Sequence, residues 1–163
     1  MISKDLETQR HREHRVVVRG LCVLRASVFQ IYQKERNMNH NELTHAIIGA
    51  AIEVHKRLGP GLLESAYRAC LAYELRKRGF DVVEEKPVPV VYDEVKLDCG
   101  FRADLIVNGT VVVELKAKTA IHPVDRVQVL SHLRLLNLRF GLLINFHVEK
   151  LTDGVSRIVN GYE

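Results

Sequence analysis

Arg102-Ala103-Asp104-Leu105-Ile106-Val107-Asn108-Gly109-Thr110-Val111-Val112-Val113-Glu114-Leu115-Lys116 is the stretch from which the rest of the chain can be ordered. Two β-rich runs, 97–107 and 110–117, flank Asn108-Gly109. Asn-Gly between apolar runs signals a hairpin, because both residues tolerate the left-handed backbone of a tight turn. Side chains alternate along a strand, so Glu114 and Lys116 share one face while Val111, Val113 and Leu115 share the other. Loop length then decides where Asp104 goes. A two-residue loop pairs Val107 with Thr110 and sets Asp104 against Val113, away from Glu114. A three-residue loop, Val107-Asn108-Gly109, pairs Ile106 with Thr110 and brings Asp104, Glu114 and Lys116 to one face, as a bulge would. An odd-length loop or a bulge is therefore expected.

Downstream, residues 123–138 carry Val124, Val127, Leu130, Leu133 and Leu136 at helical spacing. Residues 140–146 form an almost wholly apolar run, the pattern of an interior strand covered on both faces. Strand, helix and strand make a parallel βαβ unit. Upstream, Leu43, Ala46, Ile47, Ala50, Val54 and Leu58 recur at helical spacing behind Asn41, a candidate cap. Gly59-Pro60-Gly61 ends that helix, and a second runs over 62–78 to Gly79. Val82–Val83 and 88–92, around Pro87 and Pro89, read as an edge strand. The expected fold is one α/β domain of order α-α-β-β-β-α-β with a variable tail: a mixed sheet with flanking helices.

Length, composition and charge bound the answer. The chain has 163 residues, 47% hydrophobic and 27% charged, which suits one folded domain. No run approaches the roughly 18 apolar residues of a membrane-spanning helix. Lys and Arg number 24 against 20 Asp and Glu, and residues 1–37 hold eight and four of these. Sixteen of each sign remain in 38–163, so the basic balance belongs to the leader, and any polyanion site in the body is local. Residues 1–37 read as a basic N-terminal extension: a poorly ordered arm, an accessory helix, or sequence upstream of a native start at Met38, the last being preferred. Cys22, Cys70 and Cys99 are odd in number and widely spaced, which suits a reducing cytoplasm and excludes a disulfide framework.

Two acids converging with one lysine are what a hard divalent cation and a phosphodiester require. The carboxylates of Asp104 and Glu114 suit Mg²⁺ or Mn²⁺, and Lys116 supplies positive charge near the reacting phosphate. An ordinary salt bridge on a solvated face is the competing reading of Glu114 and Lys116.

Asp104 followed by Glu114-Leu115-Lys116 resembles the D…ExK signature of the PD-(D/E)XK nuclease superfamily. Gly61-Leu62-Leu63-Glu64-Ser65-Ala66-Tyr67 resembles the motif of the GxxExxY family within it, as do Arg57-Leu58-Gly59-Pro60 and Gly141-Leu142-Leu143-Ile144-Asn145-Phe146. The likeness spans about residues 41–160. It implies a restriction-endonuclease-like fold and a metal-dependent nuclease, with DNA as the expected substrate and no membrane partner. By the same resemblance Asp104, Glu114 and the Leu115 carbonyl would be metal ligands and Lys116 the catalytic lysine. Glu64 would match the helix glutamate that reaches the metal or its water, although an acid in a first helical turn is favoured by the helix dipole in any case. Gln128 resembles the glutamine of a Q-x-x-x-Y pattern whose tyrosine position is occupied here by His132. Tyr67 reads as packing.

The remaining candidates have plainer explanations. Lys118, His122 and Arg126 would form a phosphate rim or ordinary surface charge, and Arg76-Lys77-Arg78 suits a helix C-terminus. His40, His45 and His55 lack zinc spacing, and Gly59-Pro60-Gly61 is no P-loop. The alternative function, from a different class, is a catalytically inactive nuclease-fold module that binds nucleic acid or a protein.

Overall fold

A computed structural model of the chain describes residues 38–97 and 101–161. The proposed extension 1–37 lies outside the described residues, as do Cys22 and Cys99. Helix α1 spans His40–Leu58, α2 Glu64–Lys77 and α3 Pro123–Leu135. The strands are β1 Val82–Pro87, β2 Val90–Tyr92, β3 Val95–Leu97, β4 Arg102–Val107, β5 Val111–Lys116, β6 Phe140–Asn145 and β7 Val155–Val159. A short 3₁₀ turn, Leu151–Gly154, precedes β7.

Five strands form one sheet in the order β1-β4-β5-β6-β7. Only β5 and β6 pair in parallel, across α3, which is the expected βαβ unit. The β1–β4, β4–β5 and β6–β7 pairs are antiparallel. β1, with Pro87 at its end, lies at the edge, whereas the 88–92 part of the expected edge strand leaves this sheet and supplies β2, and β6 is interior. Odd residues of β5 face a core built with α1 and α2: Val111, Val113 and Leu115 meet Ile47, Tyr67, Leu71 and Leu75. Val112 lies in a second core with Val129 and Leu133 of α3 and Leu143 of β6. Each buried aliphatic side chain contributes about 1.5–3 kcal/mol, so the sheet is clamped from both faces.

Several boundaries differ from expectation. The cap of α1 is Asn39, not Asn41: its side chain accepts the Glu42 N–H at 2.9 Å, and the Glu42 carboxylate accepts the Asn39 N–H at 3.1 Å. Only Asn39 has a glutamate three residues on, which a reciprocal cap requires. α2 begins at Glu64 rather than 62, because Leu62 N–H donates to the Tyr67 hydroxyl, 3.0 Å away. α3 stops at Leu135 rather than 138, and Asn137 just beyond it takes a left-handed φ of 53°. The run 97–107 is broken: β3 ends at Leu97 and pairs with β2 as a separate hairpin, turning through left-handed Asp93 and Glu94. The expected variable tail contains β7.

The β4–β5 connection is odd-length, as the site requires, but shifted by one residue. Val107 pairs with Val111, leaving Asn108-Gly109-Thr110 as the loop. Asn108 and Gly109 have φ of 50° and 66°. Asn108 is held beside β1, donating its N–H to the Asp81 carbonyl and accepting the Asp81 N–H on its side chain. That anchorage moves the first pair outward by one step without changing which face each residue of β5 takes.

Candidate active site

β4 loses its regular alternation at Asp104. Leu105 and Val107 face the α1–α2 core, yet Ala103 joins Ile106 in the α3 core. The β1–β4 ladder pairs Glu84 with Leu105 and Lys86 with Ala103 but omits Glu85 opposite Asp104, and Glu85 has a left-handed φ of 46°. The β4–β5 ladder ends at Leu105 and Val113. Asp104 therefore turns into the gap beside β5, a correction to the simple picture of three groups on one flat face. One carboxylate oxygen accepts the Leu115 N–H at 2.8 Å, and the other faces an Arg68 guanidinium nitrogen at 3.3 Å.

Glu114 is 3% exposed and faces α3. Its Oε1 accepts from Lys116 Nζ at 2.7 Å. Its Oε2 is buried without a hydrogen-bond partner and lies 3.6 Å from His132 Nδ1. Glu64 opens α2, and one turn later Arg68 bridges Asp104 and Glu85, the latter at 3.2 Å. The cluster thus forms where the sheet opens, with Glu64 and Arg68 supplied from one face and His132 from the other.

Tyr67 explains how the Gly59–Gly61 turn delivers Glu64. Its ring stacks on Phe146 at 4.3 Å between centroids, and its hydroxyl donates to the Gly59 carbonyl at 2.6 Å. It packs rather than reacts. Gly59 and Gly61 have φ of 68° and 107°, which side chains beyond glycine rarely adopt.

Charge at the cluster is unbalanced. Burial pushes the Asp104 carboxyl above its ordinary pKa, and Glu114 adds to this, outweighing the Leu115 N–H, Lys116 and Arg68. Burial likewise raises Glu64, with Asp104 and Glu114 contributing further repulsion. Burial works to lower the Lys116 pKa, but the Glu114 hydrogen bond and the charges of Glu114, Glu64 and Asp104 hold it above the usual value. Lys116 is an ammonium at neutral pH. Asp104, Glu114 and Glu64 thus outnumber Lys116 and Arg68, the latter shared with Glu85, and one buried carboxylate oxygen has no hydrogen-bond partner.

Oxygen donors of this kind suit a hard divalent cation, and burial together with mutual repulsion disfavours the charged carboxylates of Asp104 and Glu64 when no cation is bound. Among the described residues, no three His, Cys, Asp or Glu side chains stand together as a ready-made metal centre, and Arg68 and Lys116 pair with two of the acids. Gln128 is half-buried on α3, one turn before His132, and no hydrogen bond joins it to the cluster. Lys118 is drawn to Asp125 at 2.7 Å, and His122 caps α3, so two members of the expected rim have structural roles. Arg76 pairs with Glu84 and Arg78 with Glu74, and His55 meets the Val148 carbonyl.

Two residues of the cluster escaped sequence reasoning as site members. Arg68 lies four positions after Glu64, a helical spacing that could have suggested it. His132 stood out only as a departure from a tyrosine pattern.

A family model described as the PD-(D/E)XK nuclease superfamily matches residues 41–158. No curated protein and no solved structure matches the chain.

Proposed function

This chain belongs to the PD-(D/E)XK nuclease superfamily, and from that membership we propose a divalent-metal-dependent nuclease that hydrolyses phosphodiester bonds in DNA. Its mixed five-stranded sheet with helices on both faces is the restriction-endonuclease-like α/β fold. Nucleases of this superfamily generally depend on a divalent metal. The Gly61, Glu64 and Tyr67 motif supports assignment to the GxxExxY group. No described helix is long and apolar enough to cross a membrane, and the cysteine usage supports a cytoplasmic setting.

The observation that carries the reading is the convergence of Asp104, Glu114 and Glu64 on Lys116. Asp104 and Glu114 would hold Mg²⁺ or Mn²⁺ together with the Leu115 carbonyl, which lies on the β4 side of its strand with the Leu115 N–H. When bound there, such a cation would supply Lewis acidity toward the phosphate and the attacking water. Lys116, fixed as an ammonium by its acidic neighbours, binds the phosphate and offsets charge developing on it. Glu64 orients the water, and Gln128 contacts the substrate from α3.

Lys116→Ala is expected to lower Mn²⁺-dependent cleavage of DNA by about 10²–10³-fold, the usual effect of deleting such a charge donor, with the fold retained. A nuclease assay with circular dichroism checks this. Cleavage unchanged in the variant refutes the assigned role.

A second reading, a catalytically inactive module that binds nucleic acid or protein, is favoured by one observation: Arg68 and Lys116 already pair with the acids. Wild-type protein inert on single- and double-stranded DNA and RNA with either metal would establish it.

A further inference from the structure

Three buried side-chain polar atoms among the described residues have no hydrogen-bond partner, and they belong to two neighbouring residues: Glu114 Oε2 and both ring nitrogens of His132. Buried polar groups are almost always paired, so two such residues facing each other at 3.6 Å are a donor and an acceptor waiting to meet. His132 is fully buried on α3, with Phe101 edge-on at 6.1 Å between ring centroids. Its helix neighbours Val129 and Leu133 belong to an apolar core. Such a place accepts leucine more readily than histidine unless the ring has a polar task. Substrate cannot reach a side chain with no exposed surface, which excludes direct chemistry.

We propose that His132 is a positioning residue, whose Nδ1–H orients Glu114 through Oε2 and so holds that carboxylate ready for the metal. The inference rests on the metal role assigned to Glu114 above. Lys116 already holds one oxygen, and a bond from His132 to the other would define the carboxylate plane from both sides. Closing the gap to an ordinary N–H···O separation takes a movement of about 0.7 Å. Nδ1 is the ring nitrogen nearer the carboxylate and the one placed to donate to it. Partners that orient ligating carboxylates typically matter roughly 10–100-fold in metal affinity.

The test compares wild type, His132→Leu and His132→Asn by calorimetric titration with Mn²⁺ alone, with melting temperatures as a check on folding. Asparagine places an N–H near the position of Nδ1, whereas leucine fills the space without a donor. The expected result is Mn²⁺ affinity weakened by roughly 10–100-fold in His132→Leu and largely restored in His132→Asn. Equal affinity in wild type and His132→Leu overturns the proposal, as does an equal loss in both folded variants. Nitrogen-15 spectra of the metal-free wild type give a reading independent of the ion. An Nδ1–H tautomer that shifts in Glu114→Gln supports the contact, and an Nε2–H tautomer refutes it. If wild type binds no Mn²⁺, the nuclease reading fails, and those spectra still decide the contact.

Discussion

Glu64 and Asp104 sit where burial and neighbouring carboxylates disfavour their charged forms, and the metal-free protein bears the consequence. A carboxyl whose folded pKa is raised stabilises fully below its unfolded pKa and loses that contribution as pH rises through the folded value. Asp125, lowered by Lys118 and the His122 N–H against its own burial, does the opposite and stabilises above the unfolded value. Glu64→Gln is therefore expected to raise the melting temperature of metal-free protein at pH 7 but not below about pH 4, where glutamate is protonated anyway. Calorimetry in a chelator at both pH values checks this, and an equal effect at the two contradicts it. The shared face of Glu114 and Lys116 was legible because strand alternation is a property of the sequence, whereas the break in β4 that turns Asp104 toward them was not. Arg68 and the His132 contact were not, because helical spacing says which residues share a face but not what that face meets.

At the scale of elements, α3 matters because it sets His132 over Glu114. Gly141 of β6 makes room for it: a Cβ there would lie 2.7 Å from Val129 Cγ1 and 3.2 Å from Leu133 Cδ1. Gly141→Ala is expected to destabilise the fold by about 1–3 kcal/mol and to weaken Mn²⁺ binding by displacing the helix. Urea denaturation measures the first effect, and a stability within error of wild type would show that α3 is not held at that spacing. The β5-α3-β6 unit was readable from its two apolar strands and the helix between them, but the expected stripe of α3 was misplaced: Val124 and Val127 are exposed, and the buried face carries Val129, His132 and Leu133. β7 was not readable, since Val155-Ser156-Arg157-Ile158-Val159 has no clean alternation and derives its place from pairing with β6. The β4–β5 loop was right in parity but one residue off, because the tie between Asn108 and Asp81 is long-range in sequence.

For the molecule as a whole, two cores clamp a sheet whose one distorted point, at Asp104, opens a gap lined with acids. A net charge of zero over 38–163 means that no attraction for a polyanion is spread over the surface of these residues. The fold concentrates unfavourable charge at that gap, so a cation that binds only the native state should stabilise it. The most direct measurement is the melting temperature of wild type and Glu114→Gln across a Mn²⁺ titration. Wild type should rise, by about 2.7 kcal/mol of stability at a hundredfold excess over the dissociation constant, while Glu114→Gln stays nearly flat. A wild-type melting temperature unmoved by millimolar Mn²⁺ would contradict the account.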